Sequence, residues 1–265
     1  MQKNDVKRLR KQIFSQEWPL DAEITAIAGD LPSHEFLHNP SGQYAYIYLS
    51  QFIKALASQQ LQKGFDQLSV LDWGCGKGHV SKIIRDLGPQ SIDSCDILSE
   101  KNDSTFGQET PIIQRCGITV RPLEHQYKLP YDDASFHIVL SFGVLEHVQD
   151  DNASLDEIQR ILKPGGLFFC FFLPTRLSWT QMLVRNQGDH YHDRLYTRDS
   201  VNQLLKHNRM DALDIWYRQI FPKNRVHYPN FRLFEELDQK ITEYTPLRYF
   251  ATNIEFVARK HLASD

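Results

Sequence analysis

The chain has 265 residues, 41% of them hydrophobic, and carries a formal net charge of −3 at pH 7. This length permits one α/β domain with additions, or at most two small domains. No basic run stands out, so the composition does not suggest a nucleic-acid substrate. The four cysteines show neither the spacing of metal ligands nor a disulfide framework, so we expect a reducing, cytoplasmic setting. No signal peptide is visible, and the longest apolar run, 166–174, is far shorter than the about 20 residues of a membrane span.

Hydrophobic periodicity divides the chain into a polar N-terminal part and an α/β core. Residues 1–40 are polar with isolated apolar anchors, which indicates helices and loops. Residues 44–61 predict a helix, because the apolar residues between Leu49 and Leu56 fall on one face. From position 69 onward, strand patterns and helix patterns alternate.

Seven strands are predicted, each as an apolar stretch bounded by turn residues. They are Ser69–Leu71, Ser91–Ile97, Ile118–Pro122, Phe136–Phe142, Leu167–Leu173, Leu213–Ile220 and Thr252–Arg259. Helices are predicted from Val80, over Ser154–Leu162 and from Thr197 to about His207, and residues 163–166 would end the second of them. An insert at about 221–249 separates the last two strands and contains a further predicted helix.

The alternation of strands and helices predicts an α/β fold with a parallel sheet and right-handed crossovers. The last two strands have no clear crossover helix between them, which favours an antiparallel pair at one end of the sheet. In open sheets of this class, ligands bind beyond the carboxyl ends of the strands. The candidate site therefore lies at the carboxyl ends of the strands.

The most informative segment is V-L-D-W-G-C-G-K-G-H, residues 70–79. A strand ends on Asp72, and three glycines follow at alternate positions (74, 76 and 78) before a helix begins. Glycines at such a turn permit positive φ and close approach of a ligand, and the helix N-terminus offers free N–H groups to an anion. Dinucleotide folds have the spacing G-x-G-x-x-G, and His79 stands where their third glycine would be.

The pattern D-x-G-x-G-x-G resembles motif I of the class I methyltransferases that use S-adenosylmethionine (SAM). The amino-acid end of SAM carries an ammonium and a carboxylate, which suit an acid and backbone N–H groups better than a pyrophosphate does. The resemblance covers about residues 44–258. It implies SAM as the cofactor and a Rossmann-like, seven-stranded, mostly parallel sheet of order 3-2-1-4-5-7-6, flanked by helices. We expect residues 1–65 to form an N-terminal helical extension or lid and residues 66–265 to form the methyltransferase domain.

The same resemblance assigns the cofactor contacts. Asp96, which closes the second strand, would accept hydrogen bonds from both ribose hydroxyls. Leu123 and Glu124 would lie beside the adenine, and Ser141 and Phe142 would offer backbone groups to the methionine end. The expected cofactor residues are Asp72, Trp73, Gly74, Gly76, Gly78, Asp96, Ile97, Leu123, Glu124, Ser141 and Phe142.

The chain departs from these relatives at two positions. Many of them have Asp where His137 stands, and their adenine-side acid is usually an Asp followed by Ala, where this chain has Glu124 and His125. We expect His137 to be a structural residue at the strand edge.

A hydroxyl group that accepts a methyl needs a general base, most often His or a carboxylate. His190 and His192 lie in D-H-Y-H-D-R-L-Y (189–196), before a helix on the carboxyl side of the sheet, where loops often carry function. His192 is preferred, because similar methyltransferases often have a His shortly before the corresponding helix; the alternative is a polar linker with tyrosine anchors. His147, in L-E-H-V, is the third candidate. Quinone-pathway relatives hold a divalent metal here with neighbouring acids and a His, but only Glu146 and His147 remain, so no metal is expected.

The acceptor is inferred only from resemblance. The blocks 166–181, 191–197 and 249–260 look like methyltransferases encoded with bacterial surface-polysaccharide genes, which implies a small-molecule or sugar-linked hydroxyl acceptor. The alternatives are a phenolic or quinone-like acceptor, a non-catalytic SAM-binding partner protein and a nicotinamide dehydrogenase. An RNA methyltransferase is disfavoured by the charge. The oligomeric state stays open.

Overall fold

The computed structural model describes residues 3–31, 36–97, 110–125, 127–186, 194–222, 228 and 230–262. The strands in these residues are β1 (Ser69–Trp73), β2 (Ser91–Ile97), β3 (Val120–Leu123), β4 (Phe136–Phe142), β5 (Leu162–Pro174), β6 (Met210–Arg218) and β7 (Asn253–Lys260). They form one sheet of order β3-β2-β1-β4-β5-β7-β6. This result confirms the predicted fold class and strand order.

The sheet is parallel from β3 to β5, and β7 runs antiparallel to both of its neighbours, β5 and β6. The chain leaves β1 toward β2 and β3, and then returns to form β4 on the other side of β1. The order of the strands therefore reverses between β1 and β4. Such a reversal opens a crevice at the carboxyl ends of the two strands, which is where ligands bind in sheets of this kind.

Helices flank the sheet on both faces. In the described residues they are α1 (Lys3–Phe14), α2 (Ala22–Gly29), α3 (Pro40–Leu61), α4 (His79–Asp86), α5 (Pro111–Arg115), α6 (Asp151–Ile161), α7 (Trp179–Asn186), α8 (Arg198–His207) and α9 (Phe231–Tyr244). Among these helices we find none with the length and apolar character needed to span a bilayer.

The central strand β5 shows how the two faces are buried. Phe168 and Cys170 pack with the apolar faces of α6 and α8 on one side of the sheet. Leu167, Phe169 and Phe171 pack with α1, α3 and α4 on the other side. Successive side chains of a strand point to opposite faces, so a strand covered on both sides is apolar at every position. Each of these five side chains is fully buried, which fixes the rigid centre from which the site is built.

The N-terminal helices are attached to the helix that follows the glycine turn. The Lys82 ammonium, on α4, lies 2.5 Å from the Asp21 carboxylate, the N-cap of α2, and 2.8 Å from Asp86. Glu23 is 3.3 Å from the same ammonium. The buried ammonium of Lys82 is stabilised because three carboxylates surround it. This cluster holds α2 beside the candidate site.

Several strand boundaries differ from the prediction, most of all the starts of β5 and β6. Strand β5 begins at Leu162 and not at Leu167, because Leu162 pairs with Phe136 and the chain continues through an irregular register. Gly165 has φ +75°, a left-handed conformation that glycine adopts freely. Residues 163–166 therefore follow the end of α6 and also belong to β5. Strand β6 begins at Met210, three residues earlier than expected, because it pairs with β7 as far as Lys260.

Candidate functional site

The glycine turn joins β1 to α4 with left-handed backbone at each glycine. Gly74, Gly76 and Gly78 have φ values of +72°, +52° and +77°. A residue with a Cβ adopts this region only at a cost, whereas glycine adopts it freely. Gly78 is also the N-cap of α4, so the free N–H groups of that helix begin at the turn.

Two of these glycines are also required by their neighbours. A Cβ at Gly74 would lie 2.5 Å from a methyl carbon of Val144, and one at Gly78 would lie 2.5 Å from Cγ1 of Ile113. Real Cβ atoms do not approach carbon atoms so closely, so the loop that holds Val144 and the helix that holds Ile113 pack directly on the glycine backbone. The turn is therefore held in place from both sides.

Replacing Gly78 with alanine should destabilise the protein more than the same change at Gly117. Gly117 has φ +61°, but there is open space where its Cβ would lie. Gly117→Ala should therefore lower the free energy of unfolding only by the left-handed strain that it introduces, about 1–2 kcal/mol. Gly78→Ala should lower the free energy of unfolding by a further amount of about 1–3 kcal/mol, because the new methyl group overpacks against Ile113. Urea unfolding of both variants measures the difference, and equal losses would show that Ile113 yields without cost.

Asp96 lies at the end of β2, beside the glycine turn. Its carboxylate accepts a hydrogen bond from the Gly76 N–H at 2.6 Å and one from the Ile97 N–H at 2.7 Å. Burial raises the pKa of Asp96, while these two hydrogen bonds oppose the shift. Leu123 pairs with Ile97 across the β2–β3 ladder, so three of the expected cofactor residues meet at this corner.

Asp72 is almost fully buried at the carboxyl end of β1. The Ser81 hydroxyl donates to it at 2.6 Å, and the Ser94 hydroxyl donates to Ser81 at 2.8 Å. Burial, assisted by the charge of Asp96, raises the pKa of Asp72 to about 7. In the described part of the chain, no lysine or arginine forms an ion pair with Asp72. A buried carboxylate without a cation is stabilised by a ligand ammonium, so the turn fits the amino-acid end of SAM.

The remaining expected cofactor residues lie at the same edge of the sheet, with different exposure. Trp73 pairs with Cys95 and with Ser141 across two ladders, and its ring belongs to the buried core. Ser141 is fully buried and Phe142 is half-buried at the end of β4. Glu124 is exposed just beyond β3. The backbones of these residues, more than their side chains, border the crevice.

A cluster of aromatic side chains, not predicted as a group from the sequence, lies at this carboxyl edge of the sheet. The Tyr46 ring, on α3, lies 5.7 Å from the Phe142 ring, 5.1 Å from the Phe172 ring and 4.3 Å from the His79 ring. Phe172, near the end of β5, has φ +66°, a strained value for a non-glycine residue, next to an irregularity in the β5–β7 register. Strained backbone of this kind persists where the surroundings hold it, and it concentrates at functional sites. We refer to Tyr46, Phe142 and Phe172 as the aromatic wall.

A loop after β4 places one candidate base at the crevice. The His147 side chain is 45% exposed, and its Nε2 lies 3.8 Å from Oε1 of Glu146, which is 2% exposed. A Cβ at Gly143 would lie 3.6 Å from Oε1 of Glu146 and 3.9 Å from Cβ of Phe172. The loop therefore contacts both the glycine turn, through its valine, and the aromatic wall. His190 and His192, the other candidate bases, lie outside the described residues.

Burial raises the pKa of Glu146 to about 8, and its Oε2 has no hydrogen-bond partner. The carboxyl group therefore holds a proton near neutral pH. Within the residues the structure describes, no three His, Cys, Asp or Glu side chains are grouped closely enough to hold a metal ion.

Comparisons with known proteins agree with this arrangement. Residues 43–209, more than half of the chain, match a family model described as a methyltransferase domain. An uncharacterized methyltransferase of Schizosaccharomyces pombe is 31% identical over 109 residues, 38% of this chain and 38% of that protein. A ubiquinone biosynthesis O-methyltransferase of Caulobacter vibrioides is 30% identical over 169 residues, 57% of this chain and 63% of that protein. The chain thus matches less than two thirds of the length of these relatives.

A solved structure shows the same fold over most of the chain. A SAM-dependent methyltransferase from Archaeoglobus fulgidus superposes with a TM-score of 0.50 at 18% sequence identity, covering 80% of this chain and 94% of that one.

Proposed function

Since the chain belongs to the methyltransferase family and is an enzyme that uses SAM, we propose that it methylates a hydroxyl group of a small-molecule or sugar-linked acceptor, without a metal ion. The observation that carries the proposal is the position of His147. Its loop follows β4 and packs against the glycine turn through Val144, and the His147 side chain is 45% exposed there.

Different residues at the crevice would bind different parts of the cofactor. When bound, SAM supplies a methyl group on a positively charged sulfur, which is already activated for transfer. The buried carboxylate of Asp72 suits the ammonium, and the N-terminus of α4 suits the carboxylate. Asp96 accepts hydrogen bonds at the edge of β2, where ribose hydroxyls can replace or join the present donors. The protein therefore contributes mainly orientation and the exclusion of water.

The acceptor hydroxyl must lose its proton during transfer, and His147 suits this role. Its side chain is exposed enough to meet a substrate, whereas Glu146 beside it is buried. Because burial raises the pKa of Glu146 to about 8, that group already holds a proton near pH 7. His147 is then the base that this loop offers to the acceptor, with Glu146 beside it.

The aromatic wall suits an acceptor that contains a ring. Tyr46 belongs to α3, so residues 1–65 would act as a lid that brings an aromatic face over the crevice. Aromatic faces pack against sugar rings and against phenols. The sequence blocks at 166–181 and 249–260 support a sugar-linked acceptor. The wall and the similarity to the ubiquinone biosynthesis O-methyltransferase of Caulobacter vibrioides support the second candidate, a phenolic or quinone-like hydroxyl.

A transfer assay tests the proposal. Purified protein is incubated with SAM that carries a labelled methyl group and with panels of sugar-linked and phenolic acceptors, with and without EDTA. We expect label in one panel at a rate that EDTA does not change. Loss of transfer with EDTA would contradict the metal-independent reaction, and labelled amines instead of ethers would contradict the hydroxyl acceptor.

Replacing His147 with alanine should lower turnover about 10²- to 10⁴-fold, the usual contribution of a general base. The affinity for SAM, measured by calorimetry, should stay unchanged, because the side chain faces the acceptor and not the glycine turn. His207→Ala is the control, since His207 is exposed at the end of α8. If His147→Ala is fully active and His192→Ala is not, the base is His192.

A further inference from the structure

Three basic side chains meet at the amino end of the sheet, the end opposite to the glycine turn. Lys63 follows α3, His137 is the second residue of β4, and Lys163 is the second residue of β5. The Lys63 Nζ lies 3.3 Å from His137 Nε2, and the Lys163 Nζ lies 3.4 Å from Nδ1 and 3.5 Å from Nε2 of the same ring. His137 is only 8% exposed. We call these three residues the basic triad.

Hydrogen bonding fixes the proton on the imidazole ring. The backbone N–H of Ser69 donates to His137 Nδ1 at 3.0 Å, so Nδ1 is an acceptor and carries no hydrogen. The proton of the neutral ring is therefore on Nε2. That N–H points toward the Lys63 ammonium, which is itself a donor and has no lone pair to accept with. Lys163 is nearly equidistant from both ring nitrogens, so its ammonium lies over the ring and not in line with either nitrogen.

The triad thus brings the Nε2–H of His137 and two ammonium groups together, and the acceptor of the ring, Nδ1, already takes the Ser69 N–H. Among the described residues, neither lysine forms an ion pair with a carboxylate, and their recorded polar contacts go to His137. A fourth cation stands close by, because the Lys260 Nζ donates to the carbonyl of Leu162 at 2.7 Å.

Burial and the mutual repulsion of the positive charges in the basic triad lower the pKa values of His137 and Lys163. Burial, with the charges of Lys163 and Lys63, lowers the pKa of His137 to about 4. Burial and Lys63 lower the pKa of Lys163. Each group therefore resists positive charge on the others, and a negative charge placed among them would remove that repulsion.

We propose that Lys63, His137 and Lys163 form a binding site for a phosphate-type oxyanion. A phosphate dianion matches two ammonium groups in charge, and its oxygens can accept from the His137 Nε2–H as well. The site lies beneath the amino ends of β1 and β4, whose opposite ends carry Asp72 and Ser141. It is therefore separate from the crevice that holds the cofactor. The anion is either free phosphate or the phosphate group of a larger molecule.

Thermal unfolding with saturating SAM, which occupies the glycine turn, tests the proposal. Sodium phosphate and glycerol 3-phosphate are titrated separately against sodium chloride of equal ionic strength. We expect a saturable rise in Tm with phosphate and none with chloride. A response to both phosphates indicates that the site accepts a phosphomonoester, and a response to inorganic phosphate alone indicates free phosphate.

Variants locate the response. Lys63→Met and Lys163→Met keep the aliphatic stem and should each weaken the apparent phosphate affinity about tenfold or more, whereas the exposed Lys206→Met should not. His137→Asp supplies a carboxylate within the triad, so it should raise Tm without phosphate and remove the response to phosphate. The proposal is overturned if phosphate acts no differently from chloride, or if both lysine variants respond as the unmodified protein does.

Discussion

Replacing Asp96 with alanine is expected to weaken SAM binding by about 1.5–3 kcal/mol, the range for a hydrogen bond to a charged group, or about 10- to 150-fold in Kd. The carboxylate is the acceptor that β2 presents beside the glycine turn, and it already holds the Gly76 N–H at 2.6 Å. Its loss removes both the proposed contact with the ribose hydroxyls and one of the bonds that shape the turn. Calorimetric titration with SAM measures the effect directly.

Two further variants separate these contributions. Asp93→Ala removes an acid three positions earlier on β2, where the strand pairs with Leu71, so it should leave the SAM affinity unchanged. Asp96→Asn keeps one oxygen that can accept from Gly76 but removes the charge, so its loss should lie between those of the other two variants. If Asp96→Ala binds SAM as tightly as the unmodified protein, the ribose lies elsewhere and Asp96 serves only the turn.

The glycine turn could be predicted from sequence because its signals are local. Asp72, the glycines and the start of α4 lie within eight residues, and the strand-to-helix turn constrains their conformation. The alternation of elements predicted a parallel sheet, and the family resemblance implied the strand order, which is confirmed. Boundaries such as the start of β5 were wrong, because pairing with Phe136 continued the strand through Pro164 and two glycines.

The aromatic wall could not be predicted in the same way, because its contacts join distant parts of the chain. Tyr46 and Phe172 are 126 positions apart, and their ring contact depends on how α3 crosses the end of β5. No periodicity signals that Phe172 would take a left-handed conformation; only the irregular pairing of β5 with β7 explains it. His137, expected as a structural residue, does bond to Ser69, but its two lysine neighbours come from separate elements.

A buried ion pair joins the aromatic wall to the last two strands of the sheet. Arg218, at the end of β6, lies with its guanidinium carbon 4.5 Å from the Phe172 ring centre. Its Nε donates to Glu255 at 2.5 Å and its Nη1 donates to the Tyr48 hydroxyl at 3.2 Å. Glu255 is fully buried. Arg218 therefore packs against the ring of the strained Phe172 and, through Tyr48, links it to α3.

Arg218→Met should lower the free energy of unfolding by about 3–5 kcal/mol, because it leaves the Glu255 carboxylate buried without its cation. Arg115→Met is the matched control: the Arg115–Asp30 pair has a similar separation of 2.9 Å, but its side chains are 54% and 65% exposed. Exposed pairs contribute about 0–1 kcal/mol, so this control should unfold nearly as the unmodified protein does. Urea unfolding at constant pH measures both variants.

The double variant Arg218→Met, Glu255→Gln distinguishes a lost attraction from an uncompensated charge. If the loss in Arg218→Met comes mainly from the isolated carboxylate, removal of that charge should restore part of the stability, because an apolar or neutral replacement of a buried pair costs less than breaking it. If the double variant is no more stable than Arg218→Met, the guanidinium acts chiefly through its contacts with Phe172 and Tyr48. In that case the aromatic wall, and not the ion pair, is the element that Arg218 stabilises.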